Sequence, residues 1–323
     1  MTTKIKLAQF GLGPIGMESL KLAAEKPWAE IVAAVDIDPQ KVGQTVAGAR
    51  VFGTFDELWQ HGQPDVVLHT AGSKVADALR QIEPMARRGV SVVSSCEELL
   101  FPKLRAPEAA AALDQLCRST GARVLGTGVN PGFVMDVLPV CLTGVSRRVE
   151  RIVGERVVNA ATRRQPLQKK IGSGLDPEEF RRLFREGKAG HAGFRESVAL
   201  IAHALGWELS EVVETCEPVV ADHDIHTQFF NVPKGMTCGL HQRAAGRCDG
   251  RARIELDLKM YLDAPDPHDR VVIEGEPPLD VVVRGGIAGD HATVAALLNA
   301  VPRILKAPPG VRLMTDLALP SWV

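Results

Sequence analysis

Two glutamates stand side by side, Glu97 and Glu98, in VSVVSSCEELLFPK (residues 90–103), where an apolar run stops. Upstream, QFGLGPIGMESL spaces Gly11, Gly13 and Gly16 as G-x-G-x-x-G, and Asp36 closes the next apolar run about 20 residues later. The glycine spacing suits a dinucleotide. Gly11 allows a tight turn, Gly13 lets a pyrophosphate approach the backbone, and Gly16 permits close helix packing. The helix that follows offers unpaired N–H groups and its positive dipole end to phosphate. Asp36 is placed to accept the ribose diol. Leu12, Pro14 and Ile15 within the loop, Thr70 and Ala71 after a later strand, and Asn130 complete the expected cofactor set. A carboxylate at Asp36 repels a 2′-phosphate and DIDPQK carries no arginine directly after it, so NAD is favoured. Lys41 and Arg50 keep NADP open.

A nicotinamide cofactor moves a hydride but brings no acid or base to the substrate. A carboxylate beside it can hold an ammonium ion, take its proton, or stabilise an iminium. Burial would raise the pKa of such a group toward the range useful for proton transfer. The competing account of the pair is plain: one glutamate caps a turn and the other is solvated. In GTGVNPGF (126–133), Asn130 can donate to a carboxamide or a substrate, although Asn before Pro is also common turn chemistry. Phe133, Val134 and Met135 either wall an apolar pocket or begin a core helix.

These residues need a frame. IKLAQF, IVAAVD, DVVLHT, VSVVSS and ARVLGT read as short buried strands. They alternate with helices at Pro14 to Lys26, 73–89 (ending on a Gly89 cap) and 106–120. That is the signature of a doubly wound parallel sheet, an α/β Rossmann domain. From about residue 150 the texture changes. RVERIVGERVV, ETCEPVVAD, DIHTQFFNV and RARIELDLKMYL are strand-like. In the last, Ile254, Leu256, Leu258, Met260 and Leu262 alternate with polar residues, as in a sheet with one covered face. Helical stretches at 176–187 and 194–206 interrupt these strands, and GDHATVAALLNAVPRILKAPPGV returns to helix before a Pro-Gly turn. The expected organisation is a dinucleotide-binding domain over 1–135, completed by 288–323. A second α+β domain with a largely open sheet spans 136–287 and carries substrate and dimer contacts. No repeat or low-complexity linker interrupts the chain.

The chain has 323 residues, 45% of them hydrophobic and 24% charged, with net charge −1. The near-zero balance gives no electrostatic reason to expect nucleic acid or an anionic membrane as partner. No stretch approaches the roughly 18 apolar residues of a membrane span. Six cysteines form no CxxC pair, which fits a reduced, cytoplasmic compartment.

SSCEELLFP, LGTGVNPGFVMDVLPVCLTGV, RRQPLQKKIGSG and GIAGDHATVAALLNAVPRILKAPPGVRLMTDLALP together resemble the 2,4-diaminopentanoate dehydrogenase family, which includes the native NAD(P)-dependent amine dehydrogenases. The wider superfamily is that of dihydrodipicolinate reductase. The resemblance spans nearly the whole chain and is more specific than the glycine spacing. It implies reversible oxidative deamination of an amine to a ketone or aldehyde plus ammonia. It places the catalytic carboxylate on Glu97, with Glu98 the second choice, to bind and deprotonate the amine or ammonia. It puts Asn130 in the cleft and substrate contacts in the region of Arg156, Asn159, Arg163 and Gln168, although Arg164, Lys169 and Lys170 nearby read equally as surface charge. His191 and Thr293 are further candidates for the substrate pocket. A small amine or carbonyl compound and ammonia are the implied partners; a homodimer is expected because a half-covered sheet needs a partner surface.

His223, His226, Cys238, His241 and Cys248 group like metal ligands. On a strand, however, HxxH sends its two rings to opposite faces, no CxxC or HExxH accompanies them, and no metal is expected. Two alternatives compete with the amine reading. A dihydrodipicolinate-reductase-like imine reductase would need a basic, histidine-rich helix and a lysine motif that are not visible. A non-catalytic dinucleotide sensor would have no use for a carboxylate beside the nicotinamide.

Overall fold

The computed structural model describes residues 4–323, and the chain forms two compact units. One takes in the chain up to Phe133 and resumes at Ala288; the other is Val134–Ile287. The first begins β1 (Ile5–Phe10), α1 (Pro14–Ala24), β2 (Ala29–Val35), β3 (Thr45–Val46), β4 (Ala49–Phe52), α2 (Phe55–His61), β5 (Val66–His69), α3 (Val75–Arg87), β6 (Ser91–Ser94), α4 (Pro107–Thr120), β7 (Arg123–Gly126). β5 and β6 are buried at all four positions, so VVLH and SVVS show no alternation. α3 buries Val75, Ala78, Leu79, Ile82, Met85 and Ala86, a stripe at helical spacing, and Gly89 takes φ +75° just beyond its end.

The second unit runs α5 (Val137–Leu142), β8 (Arg148–Asn159), α6 (Gln165–Lys170), α7 (Pro177–Arg185), α8 (Phe194–Leu205), β9 (Glu211–Val220), β10 (Ile225–His226), β11 (Asn231–Val232), β12 (Thr237–Cys248), β13 (Arg251–Tyr261), β14 (His268–Glu276) and β15 (Leu279–Arg284). Its main sheet has the order β15-β14-β8-β13-β12-β9. Only the β8–β13 pairing is parallel; its other neighbours run antiparallel. The expected alternation in β13 holds, with Ile254, Leu256 and Leu258 at most 1% exposed. α8 packs against β9, β12 and β13. Ion pairs run between strands elsewhere in the sheet: Arg151 with Glu255 at 2.9 Å, and Lys259 with Glu155 at 2.8 Å.

DIHTQFFNV is not one strand. The two-residue pieces β10 and β11 pair with each other, because the Thr227 hydroxyl accepts the N–H groups of Phe229 and Phe230 and folds the chain back.

The chain then returns to the first unit through α9 (Gly289–Ile304) and β16 (Gly310–Arg312). α9 buries Val294, Leu297, Leu298, Val301 and Ile304 and packs against α1. β16 pairs parallel with β7, extending the sheet beyond what the Pro-Gly turn suggested; the Val311 N–H is held by Asp114 Oδ1 at 2.8 Å. The eight strands take the order β16-β7-β6-β5-β1-β2-β4-β3, all parallel except β3 with β4. The fold is therefore a Rossmann sheet plus an α+β unit, as the sequence pattern implied.

Candidate active site

β1 delivers the chain into the glycine loop. A Cβ on Gly16 would fall 1.9 Å from the Gly11 carbonyl oxygen, so any larger residue must push α1 off the sheet. Gly11, at φ +89°, faces the Thr70 carbonyl group, 3.1 Å from where its own Cβ would be. Gly13 differs: nothing lies within 4 Å of its Cβ position, and no side chain caps α1 at that residue. Open space over uncapped amides at the N-terminus of an 11-residue helix is what a pyrophosphate requires. The residues present therefore fit a dinucleotide. Pro14 occupies the first turn, where its missing N–H costs nothing.

Gln9 was not singled out by the sequence pattern. It is 1% exposed, and its Nε2 donates to the Gly11 carbonyl at 3.0 Å and to the Thr70 hydroxyl at 2.9 Å. The Thr70 hydroxyl in turn donates to the Gly11 carbonyl at 2.9 Å. The Thr70 side chain thus shapes the loop.

Asp36 directly follows β2, beside that loop. Its carboxylate accepts the Leu12 N–H at 2.6 Å and the Asp38 N–H at 2.9 Å, and Lys41 Nζ lies 3.2 Å away. Burial alone would raise its pKa; the two backbone donors and the Lys41 ammonium outweigh that and hold it below the ordinary aspartate value. A fixed anion at this position suits a ribose diol. Lys41 also donates to the Leu12 carbonyl at 3.1 Å, so a positive charge sits beside the same carboxylate.

The end of β6 carries the two glutamates' turn. Glu97 opens a short 3₁₀ turn (Glu97–Leu100) directly after β6 and is partly exposed. That turn lies tight against β7: a Cβ on Gly126 would come 2.4 Å from the Leu99 carbonyl carbon. Glu98 is 5% exposed and already engaged. Its Oε2 accepts the Val75 N–H at 2.9 Å and its Oε1 pairs with Lys74 Nζ at 3.0 Å. The Glu98 carboxylate, the second catalytic candidate, thus caps the N-terminus of α3.

The Asn130–Pro131 peptide is cis. The loop around it is drawn tight by glycines, since a Cβ on Gly132 would meet the Gly128 backbone nitrogen at 2.3 Å. Thr293, near the start of α9, lies against the Gly128 end of this loop. Asn130 and the half-buried Phe133 thus belong to one loop beyond β7, with Thr293 of α9 against its Gly128 end. Val134 and Met135 are buried core, at 2% and 1% exposure.

In the second unit the expected substrate contacts have partners within the protein. The Arg156 side chain is 3% exposed, bonded to Asp269 at 2.7 Å and to the Ile287 carbonyl at 2.7 Å; it is an internal ion pair rather than a substrate contact. Asn159 uses its carbonyl oxygen to accept the N–H groups of Ala161 and Asp263, which shapes two turns. Gln168 is fully buried, donating to the carbonyls of Ala161 and Arg163 while accepting from Thr227. Arg163 remains partly exposed on the loop that Gln168 holds. His191 is fixed by Gln242, whose side-chain amide accepts its N–H at 2.7 Å and donates to its carbonyl at 2.8 Å. The histidines that resembled metal ligands find other partners: His226 with Asn231 and His241 with Asp257. Among the described residues, no group of three or more His, Cys, Asp or Glu is placed to hold a metal ion, and no helix is long and apolar enough to cross a membrane.

Known proteins are similar to this chain over nearly its full length. The family model of the 2,4-diaminopentanoate dehydrogenase C-terminal domain matches residues 133–323. A 2,4-diaminopentanoate dehydrogenase of Acetoanaerobium sticklandii is 32% identical over 99% of this chain and 95% of its own length. An amine dehydrogenase of Streptomyces virginiae is 26% identical over 98% of this chain and 96% of its own. The solved structure of an amine dehydrogenase from Mycobacterium smegmatis superposes with a TM-score of 0.88 at 23% identity, covering 100% of this chain and 98% of that one. With a relative at this identity over nearly its full length and a family model covering more than half of it, the chain belongs to the 2,4-diaminopentanoate dehydrogenase family.

Proposed function

We propose that this protein is an NAD(P)-dependent amine dehydrogenase that interconverts an amine with a ketone or aldehyde plus ammonia, using Glu97 to handle the nitrogen's proton. One observation carries the assignment of Glu97. It stands on the turn at the carboxyl end of β6, the edge of a parallel sheet where ligands bind. Family membership supplies the reaction class.

A bound dinucleotide supplies the hydride acceptor, or in reverse the donor. The Gly11–Gly16 loop would hold its pyrophosphate and Asp36 its ribose diol, which favours NAD, with Lys41 available to a 2′-phosphate. Glu97 accepts a hydrogen bond from the substrate ammonium and takes its proton, freeing the nitrogen lone pair as hydride leaves the adjacent carbon. Water adds to the resulting iminium carbon, ammonia departs, and the carbonyl compound remains. Asn130, Phe133 and Thr293 are the proposed walls of the amine site. A homodimer built through the second unit's sheet completes the proposal.

The test is NAD⁺ reduction at alkaline pH with a panel of amines that includes 2,4-diaminopentanoate, with the matching alcohols as controls. Turnover of amines alone is expected, and Glu97→Gln should remove most of it while leaving the Kd for NADH within about twofold. Wild-type rates in that variant would reject the role of Glu97. Tight NADH binding with no turnover of any amine would favour a sensor.

A further inference from the structure

We infer that helix α3 is a bracket that aims Glu97, gripping the SSCEE turn at two points through Gln81–His69–Ser94 and through Glu98. This deepens the proposed role of Glu97 and rests on it. All the groups involved belong to the first unit.

The first grip is a buried hydrogen-bonded chain. His69, the last residue of β5, is fully buried and stacks on Phe10 with ring centroids 5.3 Å apart. Its Nε2 lies 2.8 Å from Gln81 Oε1, on α3, and its Nδ1 lies 2.8 Å from the Ser94 hydroxyl at the end of β6. Ser94 Oγ also accepts the Cys96 N–H at 3.1 Å, one residue before Glu97. One proton arrangement satisfies every group. An amide oxygen only accepts, so Nε2 carries the hydrogen; Nδ1 then accepts from the Ser94 hydroxyl, whose lone pair takes the Cys96 N–H. Burial pushes the imidazole pKa down to about 4, so this neutral tautomer persists through the working pH range.

The second grip lies on the other side of Glu97. The Glu98 carboxylate caps the Val75 N–H at the start of α3 and pairs with Lys74, while the Glu98 N–H donates to the Ser73 carbonyl at 3.3 Å. Cys96 and Glu98 are thus tied down on either side of the one residue between them. His69, Gln81, Ser94 and Glu98 are positioning residues: they act through Glu97's backbone and are assigned no contact with substrate. Fixing a short turn at both flanks limits the directions its intervening side chain can take, which is the requirement for a group that must meet one nitrogen repeatedly.

The experiment compares Ser94→Ala, Gln81→Ala and Gln81→Glu in the full chain during reductive amination, varying ammonium at fixed carbonyl compound and NADH. Gln81 is partly exposed, so its variants keep the core intact. Ser94→Ala and Gln81→Ala are expected to raise the KM for ammonium, or lower kcat/KM for it, by up to about tenfold, the equivalent of one buried hydrogen bond. The Kd for NADH and the KM for the carbonyl compound should stay within about twofold. Gln81→Glu, which keeps an acceptor for His69 Nε2, should return ammonium kinetics toward wild type. The bracket is overturned if the first two variants match wild type while Glu97→Gln is inactive, or if all three constants shift together as in a general loosening. An active Glu97→Gln would instead bring down the glutamate mechanism itself, and the bracket with it.

Discussion

Arg156 offers the sharpest separation between a residue that binds and a residue that holds the fold. Its guanidinium, the Asp269 carboxylate and the Ile287 backbone close a ring of hydrogen bonds: Arg156 to Asp269, Arg156 to the Ile287 carbonyl, and the Ile287 N–H to Asp269, each 2.7 Å. The two side chains are 3% and 1% exposed. Replacing Arg156 with Met leaves Asp269 buried with a single backbone donor, a loss of about 3–5 kcal/mol for breaking a buried pair from one side. For a unit of this size each kcal/mol moves the melting point by about 2–4 °C, so a fall of roughly 6–20 °C is expected. Arg156→Met combined with Asp269→Asn removes both charges but keeps an acceptor for the Ile287 N–H, and should recover a large part of that loss. Differential scanning calorimetry of the two variants reads the stability, and amine kinetics at a temperature where both remain folded reads the binding. A rise in amine KM with an almost unchanged melting point would refute the structural assignment and return Arg156 to the substrate pocket.

Lys41→Met should weaken NADP binding by roughly two- to fivefold, the range of a partly exposed ion pair, and NAD binding by less. Fluorescence titration with NADPH and NADH measures both, and equal shifts would remove Lys41 from cofactor selection. His69 links stability to acidity: its pKa falls from 6.5 when unfolded to about 4 when folded, so below pH 6.5 the unfolded state takes up a proton that the folded state refuses. Its stabilising contribution is complete above pH 6.5 and is lost as pH falls toward 4, up to about 3 kcal/mol in total, and His69→Gln should flatten that part of the urea-midpoint profile measured between pH 7 and 5. An unchanged slope would mean that His69 titrates normally.

What the sequence reveals about this molecule follows the range of the forces involved. The glycine loop was legible because each of its constraints is local: Gly16 must clear Gly11, and Gly13 must stay bare, within a handful of residues. Buried strands such as VVLH and SVVS were legible because parallel strands covered on both faces need continuous apolar runs. β16 was missed because three residues starting on the glycine of a Pro-Pro-Gly stretch carry no period, and only pairing with β7 makes them a strand. DIHTQFFNV was misread because strand-forming residue types outweighed one Thr227 hydroxyl that captures two backbone donors.

Charged residues fail for a different reason. Arg156 and Glu98 were recognised as ionisable groups in the right neighbourhoods, but not as groups already matched, because their partners lie 113 and 24 residues away along the chain. A buried charge is tolerated only with a partner, so burial converts a candidate for chemistry into an element of architecture. The same logic works in reverse for Gln9, His69 and Gln242. Neutral polar residues inside a fold attract little notice in a sequence, yet each here meets several hydrogen-bonding demands at once and fixes a loop. A sequence therefore displays the residues able to do chemistry more readily than those that hold them in position. The neutral groups that aim a reactive side chain become visible only when every buried donor has been traced to its acceptor.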